Sequence, residues 1–431
     1  MIQMELRTPR GTRDFMPSEM ERRERVFSII RNVYERYGFR PLGTPAFEEM
    51  EVLTAKCGEE VSKQIYGISD SSYGLRFDLT VPLARVVASN TSIPKPFKRY
   101  QIGPVWRRDE PQKGRFREFW QADIDIVGSA SMLSEVEVIA AACEALSELG
   151  FSGFEVRLNN RKLLNAFVEN TGIPKESVGA VFRALDKLEK IGVEGVKSEL
   201  REKAGLTDNK ILDIMAFTSI NGDNTQKLEA VLKLIGGNAS GMEGISELKE
   251  IIGLFNKYEI SRKCSLIIDF SLVRGLDYYT GPIFEVKLPE GVIGGLSIAA
   301  GGRYDNLIQL YGAPPTPATG ISLGVERILE AIKKQEVEER RDLVFVATVK
   351  PDFLDYAIKV VQELRKAGIR AEMDLMGRNL RKQLDYANAI GARFVAVVGE
   401  KEAKEQTLTL RDFSSGKEET CSLPDAIKRL E

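Results

Sequence analysis

Residues 97–128 read as two strands joined by a short loop, and this hairpin constrains the fold of the chain more than any other segment. Successive side chains of a strand point to opposite faces. Alternation therefore groups four side chains of the second strand on one face: Phe119, Gln121, Asp123 and Asp125. If the two strands pair, Arg107 of the first strand lies on the same face. A ligand site and an exposed sheet face with compensating charges both fit this pattern.

The loop of this hairpin is basic and contains residues that favour a turn. Pro111 and Gly114 favour the turn itself, and Lys113, Arg115 and Arg117 supply positive charge around it. A loop with this positive charge is suited to bind a polyanion. Further basic residues extend a candidate track for nucleic acid: Arg22, Arg23, Arg25, Lys95, Lys98 and Arg99. For the first three of these, a solvated helix face is an equally good interpretation.

The hairpin also resembles a known motif. The string GPVWRRDEPQKGRFREFWQADIDIVG is similar to motif 2 of class II aminoacyl-tRNA synthetases, and to histidyl-tRNA synthetases in particular. LVRGLDYYTGPIFEV is the string most specific to histidyl-tRNA synthetases, and TGISLGVERILEAI matches motif 3. A long helix followed by FRPLGTPAFEE resembles motif 1, which forms the dimer interface in that family. The resemblance extends over essentially the whole chain.

Local patterns predict individual elements of these motifs. Ser18 and Glu21 form a capping-box pattern, and apolar residues then recur at helical spacing until Gly38 ends the run. In LRFDLTVPLAR, alternation predicts a strand with three polar side chains on one face: Arg76, Asp78 and Thr80. The glycines of GGLSIAAGGRYDNLI are expected to let the backbone approach a ligand. TGISLGVERILEAI predicts a short strand and then a helix, with Arg327 at their junction.

The composition excludes whole classes of chemistry. The chain has 431 residues, a net charge of −2 and no histidine, so it has no imidazole base, nucleophile or metal ligand. Its cysteines are Cys57, Cys143, Cys264 and Cys421. They form no CxxC pair, so we expect small core residues and neither a disulfide framework nor a zinc site. No apolar run suits a membrane span or a signal peptide, and we expect a cytoplasmic protein with no membrane partner.

The order of strand-like and helix-like segments along the chain predicts an α+β fold with several domains. The resemblance implies the antiparallel-sheet catalytic domain of class II synthetases, a helical insertion that clasps the tRNA acceptor arm, and a C-terminal α/β anticodon-binding domain. By sequence alone the insertion is equally well a spacer. The expected boundaries are 1–170 and 259–332 for the two catalytic parts, 171–258 for the insertion, 333–341 for a charged linker and 342–431 for the last domain.

The resemblance also implies roles for particular side chains. For the substrate histidine, it implies that Asp78, Thr80 and Gln121 hold the ammonium and that Asp125 and Tyr279 read the imidazole, with Tyr278 beside them. Arg107 and Arg274 are expected at the α-phosphate and the carboxylate. ATP is also expected to contact Arg115 and Arg327, with Mg²⁺ neutralising the phosphates through ligands that the sequence does not identify.

The implied activity is ATP-dependent ligation of L-histidine to tRNA(His) by a homodimer, through a histidyl-adenylate. One alternative is a synthetase-like regulatory subunit of ATP phosphoribosyltransferase without ligase activity. Such a subunit is expected to lack the anticodon-binding domain and to degrade the substrate signatures, and both are present here. Another alternative is a class II synthetase for proline or threonine, against which the RGLDYYTG string argues.

Overall fold

The computed structural model describes residues 6–55, 62–111, 115–273, 278–289, 292, 297–333 and 341–430, apart from the side chains of residues 333, 341 and 342. The chain divides into two compact units, Met1–Lys334 and Gln335–Glu431. The fold class is α+β, as predicted. In the described part of the chain, no helix is long and apolar enough to cross a membrane.

The first unit is built on a large sheet. Its strands and those of a small neighbouring hairpin are β1 Arg40–Pro41, β2 Phe47–Glu49, β3 Tyr73–Leu75, β4 Phe97–Trp106, β5 Glu118–Val127, β6 Glu155–Asn160, β7 Ser265–Ile268, β8 Pro282–Lys287, β9 Ser297–Arg303 and β10 Ala318–Gly324. Within the described residues, the large sheet has eight strands in the order β1-β4-β5-β10-β9-β8-β6-β7. Its central pairs are antiparallel, whereas β1 and β7 pair in parallel at the two edges. β2 pairs with β3.

Helices cover this sheet and extend from it. They are α1 Pro17–Arg36, α2 Met50–Thr54, α3 Thr80–Ser89, α4 Leu133–Glu148, α5 Arg161–Asn170, α6 Lys175–Leu185, α7 Leu188–Glu202, α8 Asp208–Thr218, α9 Asn224–Leu234, α10 Ala239–Phe255 and α11 Val325–Lys333. One apolar cluster runs from α1 and α4, across the apolar face of β5, into helices α5 to α10. The helical segment thus shares a core with the sheet.

One buried carboxylate joins three separate parts of this unit. Glu326, in α11, accepts hydrogen bonds of 2.9–3.0 Å from the guanidinium of Arg23 in α1. It also accepts one of 2.6 Å from Arg13 and one of 3.3 Å from the backbone N–H of Trp120 in β5. The stacking of Phe27 on Trp120, with ring centroids 5.0 Å apart, adds an apolar contact between α1 and β5.

The start of α1 differs from the predicted capping box. The helix begins at Pro17, one residue before Ser18, and its cap residue, Met16, makes no side-chain cap hydrogen bond. Proline suits the first helical position because its fixed φ is already helical and its missing N–H is not required there. The predicted end is confirmed, since Gly38 adopts a φ of 77° directly after the helix.

The strand predicted across 76–81 is wrong. Strand β3 ends at Leu75 and helix α3 begins at Thr80. The Asp78 carboxylate accepts a hydrogen bond of 3.0 Å from the backbone N–H of Val81, one of the groups that a helix start leaves unsatisfied. Pro82 lies in the first turn, where its missing N–H disrupts nothing.

The second unit is a five-stranded sheet in the order β12-β11-β13-β14-β15. Its elements are β11 Arg341–Thr348, α12 Leu354–Lys366, β12 Ala371–Met373, α13 Leu380–Ala389, β13 Ala392–Val398, α14 Glu400–Glu405, β14 Thr407–Asp412, β15 Glu418–Ser422 and α15 Leu423–Leu430. The predicted alternation of β and α elements is confirmed. Two apolar clusters within this unit give it a core of its own.

Two glycines let the central strands approach closely. A Cβ on Gly301 in β9 would lie 2.0 Å from the carbonyl oxygen of Gly320 in β10. A Cβ on Gly302 would lie 2.7 Å from the carbonyl oxygen of Pro282 and 2.9 Å from the Tyr279 ring. We expected the glycines of this string to let the backbone approach a ligand, but Gly301 and Gly302 serve packing between strands and against Tyr279. Gly294 and Gly295 lie outside the described residues.

We therefore expect Gly301→Ala to destabilise the first unit by about 3 kcal/mol or more, because the clash is with backbone that cannot rotate away. Gly253→Ala is the matched control, since a Cβ there meets nothing within 4 Å in the exposed face of α10. The control should be neutral or stabilise by about 0.5–1 kcal/mol. Urea unfolding of both variants tests this, and equal stabilities would contradict it.

Candidate active site

The polar face of β5 carries a row of buried acidic and amide side chains. In the register of the sheet, Asp125 pairs with Arg99 of β4, and Asp123 with Gln101. On the other side of β5, Asp123 pairs with Ser322 of β10. The predicted hairpin and its face assignment are confirmed: Asp123 and Asp125 lie on the face opposite the apolar side chains that pack under α1 and α4.

Asp125 is held by an arginine and a tyrosine. Its Oδ2 lies 2.8 Å from the Arg99 guanidinium, and both side chains are buried. The Tyr304 hydroxyl donates to Oδ1. Burial raises the pKa of Asp125, against the opposing effects of Arg99 and Tyr304. Gly320 makes this arrangement sterically feasible, because a Cβ there would lie 2.0 Å from Asp125 Oδ1.

Sequence reasoning missed both partners of Asp125. The alternation that placed Arg107 on this face also places Arg99 there, so the periodicity contained the signal for Arg99. Tyr304 follows β9, and its only local signal is its position directly after the glycine-rich strand. Local pattern gives no reason to pair it with a residue 179 positions earlier.

Four buried acceptor atoms on or beside this face have no hydrogen-bond partner among the described residues: Asp78 Oδ2, Gln121 Oε1, Asp123 Oδ1 and Asp125 Oδ2. Of these, Asp125 Oδ2 forms the ion pair with Arg99, which leaves the other three for a ligand. The amide nitrogen of Gln121 donates to Ser322 Oγ at 2.8 Å. Burial raises the pKa of Asp123 to about 7, with Arg99 as the main opposing influence. Buried acceptors without donors are rare in folded proteins. Their number here indicates a site for a donor-rich cation.

Three tyrosines form the wall beside these acids. The rings of Tyr278 and Tyr279 have centroids 4.9 Å apart, and those of Tyr278 and Tyr304 are 5.9 Å apart in an edge-on arrangement. Tyr278 also forms a side-chain hydrogen bond with Thr80, and burial raises its pKa well above the usual value. The structure thus brings Thr80, Tyr278 and Tyr279 close to the acids. Arg274 lies outside the described residues.

Arg107 lies farther along the same strand pair. Its Nε donates to the carbonyl oxygen of Phe77 at 3.0 Å, and its guanidinium carbon lies over the Phe119 ring, 5.1 Å from the ring centroid. The positive charge of Arg107 also acts on Asp78. Burial raises the pKa of Asp78 overall, and the backbone N–H of Val81 and the charge of Arg107 partly oppose this rise. Arg107 therefore lies near the acids, with its cation toward the Phe119 end of β5.

The two other predicted ATP ligands are less closely connected to this face. Within the described residues, Arg115 is exposed and pairs with Asp109 through hydrogen bonds of 3.0 and 2.7 Å. Arg327 donates to the carbonyl and hydroxyl oxygens of Ser297, and it lies at the predicted junction of β10 and α11. Gly324, which ends β10, pairs with Gln121, so Arg327 follows the Gln121 end of the site.

The candidate basic track for nucleic acid is not continuous. Arg23 and Arg99 are fully buried in ion pairs with Glu326 and Asp125, so neither can meet a polyanion. Of the other members, Lys98 forms an ion pair of 2.7 Å with Glu137. The prediction failed because charge along a sequence does not reveal which side chains are buried.

The chemical character of the site therefore changes along β5, from acidic to basic. Asp125 and the tyrosines are at one end, Asp123 and Gln121 follow, and Phe119 and Arg107 are at the other end. At about 3.3 Å per residue, the strand from Asp125 to Phe119 spans roughly 20 Å. An elongated ligand with a cationic part and an anionic part matches this gradient.

Comparisons with known proteins show the family of the chain. The histidyl-tRNA synthetase family model matches residues 11–328, and an anticodon-binding domain model matches residues 343–431. A histidine–tRNA ligase of Aeropyrum pernix is 43% identical over 99% of this chain and 98% of its own. One of Korarchaeum cryptofilum is 42% identical over 98% of this chain and 97% of its own.

Solved structures show the same fold. A histidyl-tRNA synthetase from Nostoc matches with a TM-score of 0.84 at 32% identity, over 99% of this chain and 100% of that chain. A structure titled ATP phosphoribosyltransferase regulatory subunit/histidyl-tRNA synthetase, from Bacillus halodurans, has a TM-score of 0.76 at 22% identity, over 92% and 98% of the two chains. The second likeness concerns the fold alone. With the family model and the full-length relatives, these findings establish that the chain belongs to the histidyl-tRNA synthetase family.

Proposed function

We propose that this chain joins L-histidine to tRNA(His) in two steps on the polar face of β5. In the first, the carboxylate of histidine attacks the α-phosphorus of ATP, which gives histidyl-adenylate and pyrophosphate. In the second, the histidyl group passes to the terminal ribose of the tRNA and AMP leaves. The observation that carries this proposal is the row of buried, unpartnered acceptors at Asp78, Gln121 and Asp123, in a chain with family-wide similarity to histidine–tRNA ligases.

The ammonium of histidine binds at Asp78, Thr80 and Gln121. Asp78 keeps one oxygen for the start of α3 and leaves the other without a partner among the described residues. The amide nitrogen of Gln121 donates to Ser322, and its carbonyl oxygen has no hydrogen-bond partner among the described residues. An ammonium has three N–H donors and no acceptor. These atoms therefore supply what a partly desolvated ammonium requires.

Asp125 and Tyr279 read the imidazole. Arg99 and Tyr304 fix the Asp125 carboxylate in place, and each of its oxygens keeps a second lone pair for a ring N–H. Tyr279 is half-buried beside Tyr278 and offers a hydroxyl to the other ring nitrogen. Tyr278, which is bonded to Thr80, supports the position of Tyr279.

The adenylate forms at the Arg107 end of β5. Arg107 and Arg274 stabilise the negative charge at the α-phosphate and the substrate carboxylate, while Arg115 and Arg327 bind the rest of ATP. Substrate histidine supplies the nucleophile, so positioning and charge stabilisation suffice without a protein base. Among the described residues, no group of three acidic or thiol side chains is arranged for a metal. Mg²⁺ that arrives with ATP usually keeps its phosphate and water ligands and needs only one or two protein carboxylates.

The remaining partners follow from other parts of the chain. The C-terminal unit, matched by an anticodon-binding domain, would bind tRNA(His). The homodimer would form through the motif 1 region, whose Phe47 forms an exposed aromatic pair with Tyr73, with centroids 5.7 Å apart. We infer a cytoplasmic location, where the described cysteines, which are free thiols, would stay reduced. The regulatory-subunit alternative has less support, because the acceptors and the C-terminal unit are both retained.

Arg107→Ala should lower the rate of histidine-dependent pyrophosphate exchange by roughly 10²- to 10³-fold, the effect of losing one preorganised charge donor. Arg108→Ala is the matched control, because Arg108 is the next residue in the chain and is exposed. The control should exchange at close to the parent rate. Equal rates for the folded Arg107 variant and the parent would exclude Arg107 from the reaction.

Asp125→Asn keeps the shape of the side chain but removes its charge, so we expect the KM for histidine to rise while the KM for ATP changes little. Loss of a buried partner of an arginine can also destabilise the fold. Glu48→Gln controls for this, since Glu48 is a buried partner of Arg85 away from β5. If the Asp125 variant retains the parent KM and kcat for histidine, Asp125 does not read the ring.

A chain that ends at residue 340 should still form histidyl-adenylate but should aminoacylate tRNA(His) poorly. The reason is that the first unit contains the whole polar face and an apolar core of its own. Pyrophosphate exchange and tRNA charging, measured on the same preparation, separate the two steps. A truncated chain that stays folded but forms no adenylate would refute the division of labour between the units.

A further inference from the structure

Asp123 is the buried acidic side chain of β5 to which the proposed mechanism assigns no contact with the substrate. Its side chain is 3% exposed, and it lies between Gln121 and Asp125 on the polar face. The Ser322 hydroxyl, which accepts from Gln121, forms a hydrogen bond with the Asp123 carboxylate. Its Oδ1 has no partner among the described residues. Asp123 is thus connected to the group proposed for the ammonium.

The charged and titratable groups around Asp123 leave its charge poorly compensated. They come from each element packed against it: Arg99 of β4, Asp125 of β5, Tyr34 of α1, and Asp78 and Arg76 from the segment between β3 and α3. Arg99 uses its Nη2 for both Asp125, at 2.8 Å, and the carbonyl oxygen of Leu79, at 3.0 Å, while its Nε and Nη1 make no hydrogen bond with the described residues. Arg76 donates hydrogen bonds to the backbone carbonyl oxygens of Thr44, Pro45 and Pro104.

We propose that Asp123 is a further substrate-binding carboxylate, which contacts the ammonium of histidine together with Asp78 and Gln121. This inference rests on the proposed function, because it takes histidine as the ligand. The ammonium is the better ligand than the ring, since it is fully charged near neutral pH whereas a free imidazole is mostly neutral. Three N–H donors then meet three unpartnered acceptors.

The proposal has a defined pH dependence. Burial raises the pKa of Asp123 to about 7, so part of the free protein carries a neutral Asp123 at neutral pH. An ammonium in contact lowers that pKa, and binding therefore releases a proton. Below about pH 7, the affinity for histidine should fall by up to roughly tenfold per pH unit from this group.

The raised pKa of Asp123 also makes the stability of the fold depend on pH. As the pH rises, stability falls while the affinity for histidine increases. The native state favours the protonated form of Asp123, so this stabilising contribution is complete below the usual pKa of 3.8 and is lost as the pH rises to about 7. Asp123→Asn removes the buried charge. We expect this variant to have a higher Tm than the parent at pH 8, with the difference shrinking toward pH 5. A folded, more stable variant that binds substrate weakly separates a binding role from a structural one.

The test is calorimetric titration of L-histidine into the full chain at pH 6.5 and 8, in buffers of different ionisation enthalpy. The parent should release more protons at pH 6.5 than Asp123→Asn does, and the variant should bind histidine about 10- to 100-fold more weakly at pH 8, as for loss of one charged hydrogen bond. Titration of the histidine ring is common to both proteins and cancels in the comparison.

Ser322→Ala provides a second variant that keeps the carboxylate. Loss of the hydroxyl bond should raise the pKa of Asp123 and move the pH midpoint of histidine affinity upward. Equal affinity and equal proton release in the parent and Asp123→Asn would overturn the inference while leaving the proposed function intact. No binding of histidine by the parent would overturn the proposed function and this inference with it.

Discussion

The pairing register of β5 is the constraint on which the rest of the first unit depends. Ten consecutive residue pairs join it to β4, from Phe97 with Val127 to Trp106 with Glu118. A slip of one residue would move every side chain to the opposite face. The acids would then enter the core under α1, and the apolar side chains would face the substrate. The hydrogen bond from the Trp120 N–H to Glu326 ties this strand to α1 and α11 in the same register.

Function and stability make opposing demands on this strand. Buried carboxylates without full compensation are unfavourable in a folded protein, because removal from water penalises the charged form. The first unit nevertheless places Asp78, Asp123 and Asp125 near a single fully buried arginine, Arg99. A cationic substrate would complete the charge balance. The apolar cluster that continues from the opposite face of β5 into helices α5 to α10 stabilises a sheet that can tolerate this arrangement.

Much of this architecture could be predicted from local pattern. Period-two alternation identified the two faces of β5, and the strand-to-helix junction before Arg327 was identified correctly. Predictions failed where a second influence overrode the pattern. Pro17 started α1 one residue before the expected cap, and α3 began at Thr80, with its Val81 N–H hydrogen-bonded to Asp78, where alternation suggested a strand. Tyr304 could not be found, because its role depends on a tertiary contact. The expected domain boundaries and site roles remain predictions.

Recognition of histidine by its imidazole is the central claim of this account. A pocket with a carboxylate and a hydroxyl for the two ring nitrogens would leave buried groups unpaired with any other amino acid, and such sites discriminate by roughly 10⁴- to 10⁵-fold. ATP–pyrophosphate exchange, measured separately with each of the twenty amino acids, tests this most directly. The account predicts exchange with histidine alone. Exchange with proline or threonine, or with no amino acid at all, would contradict it.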